Sequence, residues 1–287
     1  MNNSSPKVPE EPVNRTASVP YIVAFLSGKG GVGKSIISFN IAAEMAARGH
    51  RTLLVDGDWT FGNLHILGNA MPTAGLSEFV GGLELASAVQ HIAENLDLLA
   101  SPAAIGAGGE PRPQDIHRLV QLLPAAAADY DLILLDTSSG RLDIINRATA
   151  CADLSLIVIN PELTSISNGY GLLKYVVRTS GNINTGVLVN RAQSGTDSEY
   201  IYQKFAVLAE RFLRSIPHYA GYLLEHELVS QSVAEQKPLV RLNRKAPAAV
   251  QISTLCEFLT GEWKTGAKSE PSSRSVNLKS ETVLADI

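Results

Sequence analysis

A nine-residue stretch, Ser27-Gly28-Lys29-Gly30-Gly31-Val32-Gly33-Lys34-Ser35, has a composition suited to holding phosphate. Its glycines allow successive backbone N–H groups to turn inward around anionic oxygens. Lys34 would place a positive charge on the β- and γ-phosphates of a nucleotide. Ser35 would offer a hydroxyl ligand to a magnesium ion. The spacing fits GxxxxGK[ST], and it sits where that pattern must sit, after an apolar run and before a helical one. The helix expected from Lys34 adds the positive end of its dipole to the anion site. A glycine-rich loop that merely turns a corner would not require the Lys-Ser pair.

Two further segments carry acid chemistry. Asp56 and Asp58 lie two residues apart at the end of an apolar run, a spacing that should turn both carboxylates to the same side, toward the nucleotide. Asp-Gly-Asp also suits an ordinary turn. The run 131–136 ends on Asp136, in the form of a strand whose last carboxylate holds Mg²⁺ through a water.

These groups need a scaffold that brings distant loops together. Apolar runs at 21–26, 51–55, 96–100, 132–135, 154–159, 186–189 and 220–224 are nearly continuous, as in strands buried on both faces. Helical patterns at 34–47, 114–123, 165–179, 198–214 and 247–259 separate them. The alternation predicts an α/β fold, a doubly wound, mostly parallel sheet flanked by helices, with its ligand beyond the carboxyl ends of the strands. We expect a flexible segment at 1–19, one domain over 20–263 and a flexible tail at 264–287, because both ends are rich in polar residues and poor in apolar ones.

Composition narrows the classes. The chain has 287 residues, 45% of them hydrophobic, and a net charge of −4, which suits one large core and argues against a nucleic-acid coat. Its basic group, Lys237, Arg241, Arg244 and Lys245, reads as a solvated face. The two cysteines, Cys151 and Cys256, have no metal-like spacing and read as ordinary thiols. With no apolar run of membrane length, a cytoplasmic protein is expected.

The second lysine of the loop, Lys29, makes KGGVGKS resemble the deviant Walker A motif of the MinD/ParA ATPases, and the resemblance extends over roughly residues 20–260. It implies a P-loop fold of the SIMIBI type and slow, partner-stimulated hydrolysis of ATP with Mg²⁺. It also implies an ATP-dependent homodimer in which Lys29 reaches the phosphates bound by the facing copy. In residues 56–63 the pattern resembles the family's switch I, which gives Asp58 the orientation of the attacking water and Asp56 a place in the metal shell. Thr60 stands where the family usually has glycine. Residues 136–140 resemble switch II, with Ser138 and Ser139 where DTxAG or DxPxG is more usual. Residues 161–165 resemble PExTS. In Val189-Asn190-Arg191 the match places Asn190 on the adenine edge with Arg191 beside it, although Asn190 could equally cap a turn.

Within the family, residues 161–175, 187–194 and 221–249 resemble the FlhG/FleN regulators of flagellar number and placement. The resemblance implies a protein effector, a flagellar regulator or an FlhF-like GTPase. A ParA-type partition role, another polar-positioning role or a MinD-type division-site role is the alternative. The beginning lacks the DQAxxLR stretch of FlhG. The end lacks a basic amphipathic helix, which leaves peripheral or polar membrane contact as an open alternative.

Overall fold

The structure, a computed structural model, describes residues 19–106, 108–181 and 184–266. Eight strands form one sheet: β1 (Tyr21–Leu26), β2 (Thr52–Gly57), β3 (Gln90–Ala93), β4 (Leu96–Leu99), β5 (Leu132–Thr137), β6 (Leu154–Ile159), β7 (Thr185–Ala192) and β8 (His218–Leu224). Their order is β3-β4-β2-β5-β1-β6-β7-β8, parallel throughout except for the β3–β4 hairpin at the edge. Strand β1 lies between β5 and β6, so the chain leaves the centre in both directions from it. A crevice opens at such a reversal, and the phosphate loop follows β1 directly.

Alternate residues of β1 serve opposite faces. Tyr21, Val23 and Phe25 pack into one core with α1 (Lys34–Ala47) and with a long C-terminal helix, Pro247–Gly266. Ile22, Ala24 and Leu26 pack into the other, against helices at Pro113–Ala126, Leu142–Cys151, Leu163–Ser180 and Gly195–Leu213. Each fully buried aliphatic or Phe side chain contributes roughly 1.5–3 kcal/mol. Both faces are therefore strongly held, and the strand ends are positioned rigidly.

In chain order we label the remaining helices α2 (Leu64–Leu67), α3 (Leu76–Gly81), α4 (Leu85–Ala88), α5 (Pro113–Ala126), α6 (Leu142–Cys151), α7 (Leu163–Ser180), α8 (Gly195–Leu213), α9 (Glu227–Glu235), α10 (Leu239–Leu242) and α11 (Pro247–Gly266). Local chemistry sets several ends. Ser194 caps α8 by accepting from the Asp197 N–H at 3.0 Å. Pro113 and Pro247 stand in first turns, where a missing N–H costs nothing. Helix α11 continues to Gly266, past the expected domain end at 263. Of the flexible segments expected at 1–19 and 264–287, residues 1–18 and 267–287 lie outside the described residues. Among the described residues, no helix is long and apolar enough to cross a membrane.

Candidate functional site

The phosphate loop joins the end of β1 to α1. Gly33 caps the helix in the left-handed region at φ 96°. A Cβ there would be strained and would collide with the Asn190 side-chain nitrogen. That nitrogen donates to the Val32 carbonyl at 2.7 Å. The Asn190 side chain, expected on the adenine edge, braces the loop with one of its N–H groups. The neighbouring Arg191, held at φ 56°, lines the cavity in front of it.

That cavity has a volume of about 750 Å³. Gly30, Gly31, Gly33, Lys34 and Ser35 line its loop side, with Asp58, Trp59 and Ser139 among the residues opposite. Lys34 is only 8% exposed, and its Nζ donates to Ser139 Oγ at 3.0 Å. Ser139 Oγ is also 3.0 Å from Ser27 Oγ, so the first strand's end, the helix lysine and the segment after β5 meet at one hydroxyl.

The parallel register sets Asp56 of β2 directly beside Asp136 of β5. Both are buried. Asp56 accepts from the backbone N–H groups of Leu64 at 3.0 Å and Asp58 at 3.3 Å. Burial, and then the charge of Asp136, push its carboxyl up to about 8. Burial also raises Asp136, against the lowering influence of Lys34 and of a hydrogen bond from Ser35. Asp136 Oδ1 is buried with no hydrogen-bond partner. Two crowded carboxylates, one with an orphaned oxygen, and a serine hydroxyl beside them are a donor set that fits Mg²⁺. Among the described residues no three His, Cys, Asp or Glu side chains form a metal cluster, so such an ion would also need phosphate or water oxygens.

Asp58 is placed differently from Asp56. The strand ends at Gly57, so its alternation does not carry past that point, and only Asp58 lines the cavity. The two carboxylates, expected on one side, remain close enough for the charge of Asp58 to act on Asp56. Asp58 Oδ1 accepts from Phe61 N at 3.1 Å and Thr60 N at 3.3 Å, while Ser101 Oγ donates to its carbonyl at 2.6 Å. This turn leaves a carboxylate fixed at the cavity wall.

Lys29 lies outside that lining. Its ammonium pairs with Glu162 at the start of α7 and reaches Thr164 Oγ1 at 3.4 Å. The contact holds the Glu162 carboxyl below the usual range. Leu163, next to Glu162 in the chain, is an exposed apolar side chain at 85%, and Phe61, at the cavity rim, is another at 80%. Ser139, Ser101, Glu162 and Arg141 were not singled out as partners from sequence. Their distances along the chain from the groups they meet leave no local signal, although Arg141 follows Gly140 immediately and its charge was visible.

Of the predicted basic group, Lys237 pairs with Glu235 and Arg244 with Glu44. Cys256 is buried, and Cys151 is partly so.

Comparison with known proteins adds the following. A family model described as AAA domain matches residues 21–188. The antiactivator FleN of Pseudomonas aeruginosa is 25% identical over 237 residues, 82% of this chain and 85% of its own length. The structure of MinD with Mg-ADP from Pyrococcus horikoshii superposes with a TM-score of 0.70 at 21% identity, covering 87% of this chain and 99% of that one. The MinC:MinD complex of Aquifex aeolicus gives 0.68 at 24% identity, covering 84% and 96%.

Proposed function

Because this chain belongs to the AAA domain family, and to the MinD/ParA type of P-loop ATPase, we propose that it is a switch that dimerises with ATP and separates after hydrolysis. One observation carries the reading. The phosphate loop, Lys34, Ser35 and Asp58 line one cavity, and the paired Asp56 and Asp136, at the ends of β2 and β5, stand behind Lys34 and Ser35.

Each residue then has a task. The loop N–H groups and the α1 dipole bind the phosphates, and Lys34 leaves Ser139 for the β- and γ-oxygens. Ser35 and Asp136 would hold Mg²⁺, with Asp56 behind them. When bound, the ion neutralises charge on the β- and γ-phosphates. Asp58 orients the water for in-line attack from the cavity wall. Arg191 lines the nucleotide cavity and Asn190 keeps the loop in shape. Lys29 exchanges Glu162 for the phosphates of a facing copy, and Phe61 and Leu163 are covered in the same contact.

The output of the switch is regulatory. We take it to be control of the number or placement of a cellular structure, the flagellum, through a protein effector. Similarity to the antiactivator FleN, together with the segments 161–175 and 221–249, supports this reading. A ParA-type partition role is the alternative reading; in the basic group Lys237 is paired with Glu235 and Arg244 with Glu44.

The test is light scattering with MgATP under conditions that prevent hydrolysis, and with MgADP. The expected result is a doubled mass with MgATP alone, lost in Lys29→Ala while nucleotide still binds. Equal masses in both nucleotides would overturn the switch.

A further inference from the structure

The proposed ATPase site leaves the charged side chain of Arg141 without a task. Arg141 lines the same cavity as Lys34, Asp58 and Ser139. It follows Gly140, which turns the chain in the left-handed region at φ 73°, and it stands immediately before α6. Its guanidinium forms a fork on Asp143, at 3.1 Å and 2.9 Å, and lies 3.5 Å from Glu110. Both acids are substantially exposed, at 44% and 84% of their side chains. Because both acids face solvent, leaving them for another anion strands no buried charge. The Asp58 carboxylate also acts on Arg141, after Asp143 and Glu110, and these three together hold the guanidinium firmly charged. A planar, permanently charged fork is therefore parked on surface partners within electrostatic reach of the residue assigned to the attacking water.

We propose that Arg141 is a further catalytic residue of this ATPase, an arginine supplied by the chain itself that leaves Asp143 and Glu110 to contact the γ-phosphate as it is transferred. The inference rests on the ATPase reading above and assigns a new role within that site. In the reaction, the water oxygen bonds to the γ-phosphorus as the bond to the β–γ bridging oxygen breaks. That electron pair stays on ADP. One water proton remains on the phosphate product and the other leaves to solvent. Negative charge grows on the bridging oxygen and is spread over the γ-oxygens, where Lys34 supplies a compact cation from the loop side and Lys29 of the facing copy another. Arg141 brings a further cation from the side of Asp58. Because the contact is made at the transition state, it should affect turnover far more than affinity for the product nucleotide.

The experiment uses the full chain and compares wild type, Arg141→Ala, Arg141→Lys and Asp143→Asn. Phosphate release is followed alongside calorimetric binding of MgADP, with and without aluminium fluoride as a mimic of the transferring phosphoryl group. Arg141→Ala is expected to bind MgADP within about 2-fold of wild type. Its turnover should fall by about 10³-fold, the lower end of the ~10³–10⁵ that an arginine finger supplies. Aluminium fluoride should no longer tighten its MgADP binding. Arg141→Lys should recover part of that tightening, because the charge returns without the fork. Asp143→Asn loosens the parked state and should hydrolyse at or above the wild-type rate. Unchanged tightening in Arg141→Ala would overturn the inference. So would equal loss of MgADP affinity and turnover in that variant, or a fall in Asp143→Asn that matches it, since either marks a clamp on the start of α6. A wild-type protein that binds no nucleotide would overturn the ATPase reading and this inference together, whereas the three preceding results would overturn this inference alone.

Discussion

At the amino ends of the strands, aspartates are satisfied; at the carboxyl ends, they are left in need. Asp131, just before β5, accepts from the Arg51 N–H at 2.8 Å, and Asp153, just before β6, accepts from the Ile22 N–H at 2.8 Å. Asp97 in β4 takes the Tyr130 hydroxyl at 2.6 Å and faces His91 Nδ1 at 2.9 Å. Asp56 and Asp136, by contrast, are buried side by side, both with raised carboxyls, and one Asp136 oxygen has no partner. The same side chain is a fastener at one end and a poised ligand at the other. Incomplete polar satisfaction that a rigid sheet tolerates at one end marks where an external group must supply the rest.

The most damaging way to test that contrast is to remove the cation that faces the poised end. Lys34→Ala should cost at least ~3 kcal/mol of MgATP binding, a factor of ~10² in affinity, and turnover with it. Calorimetry that finds wild-type affinity would remove the phosphate-binding role from this end of the sheet. Asp58→Ala should spare binding and reduce phosphate release by about 10²-fold or more, since orienting the water is felt in the transition state. A wild-type rate would move the task to another group, with Asp56 the first to test.

The contrast was only partly legible in the sequence. The phosphate loop was readable because its parts are contiguous from Ser27 to Ser35, and the continuous runs at 21–26 and 154–159 correspond to β1 and β6. Strand β3 was not anticipated, because Gln90–Ala93 is short, partly polar and paired antiparallel at the sheet edge. Helices α6 and α9 were also missed; their lengths of 10 and 9 residues leave few turns for a 3.6-residue period. The pairing of Asp56 with Asp136 needs the strand order, which joins β2 to β5 across two intervening strands of sequence. Lys34 with Ser139 and Lys29 with Glu162 likewise depend on closure of distant segments.

A smaller effect should appear in stability, with opposite signs at the two ends. In chelator, Asp136→Asn relieves repulsion on Asp56 and should raise the melting point by roughly 2–4 °C, about 1 kcal/mol. Mg²⁺ affinity of the nucleotide complex should fall ~10–100-fold. Asp131→Ala strands the Arg51 N–H and should lower stability by ~1–3 kcal/mol without changing Mg²⁺ affinity. The sign with pH follows from Asp56. Its folded carboxyl at about 8 lies above the ordinary 3.8, so the folded chain holds an extra proton between those values. Stability in chelator therefore falls as pH rises through that window, and the slope should flatten in Asp136→Asn. Equal melting shifts of the same sign in the two variants would erase the distinction between the ends.

The smallest expected signal is spectroscopic, and the two tryptophans divide between the same two regions. Trp263 lies at the amino ends, with its ring 6.1 Å from Tyr21 and 5.3 Å from His50. Trp59 follows Asp58 at the carboxyl ends, is 6% exposed, and separates the 750 Å³ cavity from a second one of about 440 Å³ beside Arg112 and Arg118. If residues 56–63 reorder around the γ-phosphate, Trp59 cannot keep both contacts, and its environment must change. MgATP should therefore shift the fluorescence, and MgADP should do so less or not at all. The shift should vanish in Trp59→Phe and survive in Trp263→Phe. Because Trp59 has no chemical task here, Trp59→Phe should still hydrolyse ATP, with a stability loss of about 1–3 kcal/mol from the imperfect filling of its site. A nucleotide-dependent signal residing wholly in Trp263 would place the moving part at the satisfied end of the sheet, and the assignment of Asp58 to the attacking water would fall with the contrast it belongs to.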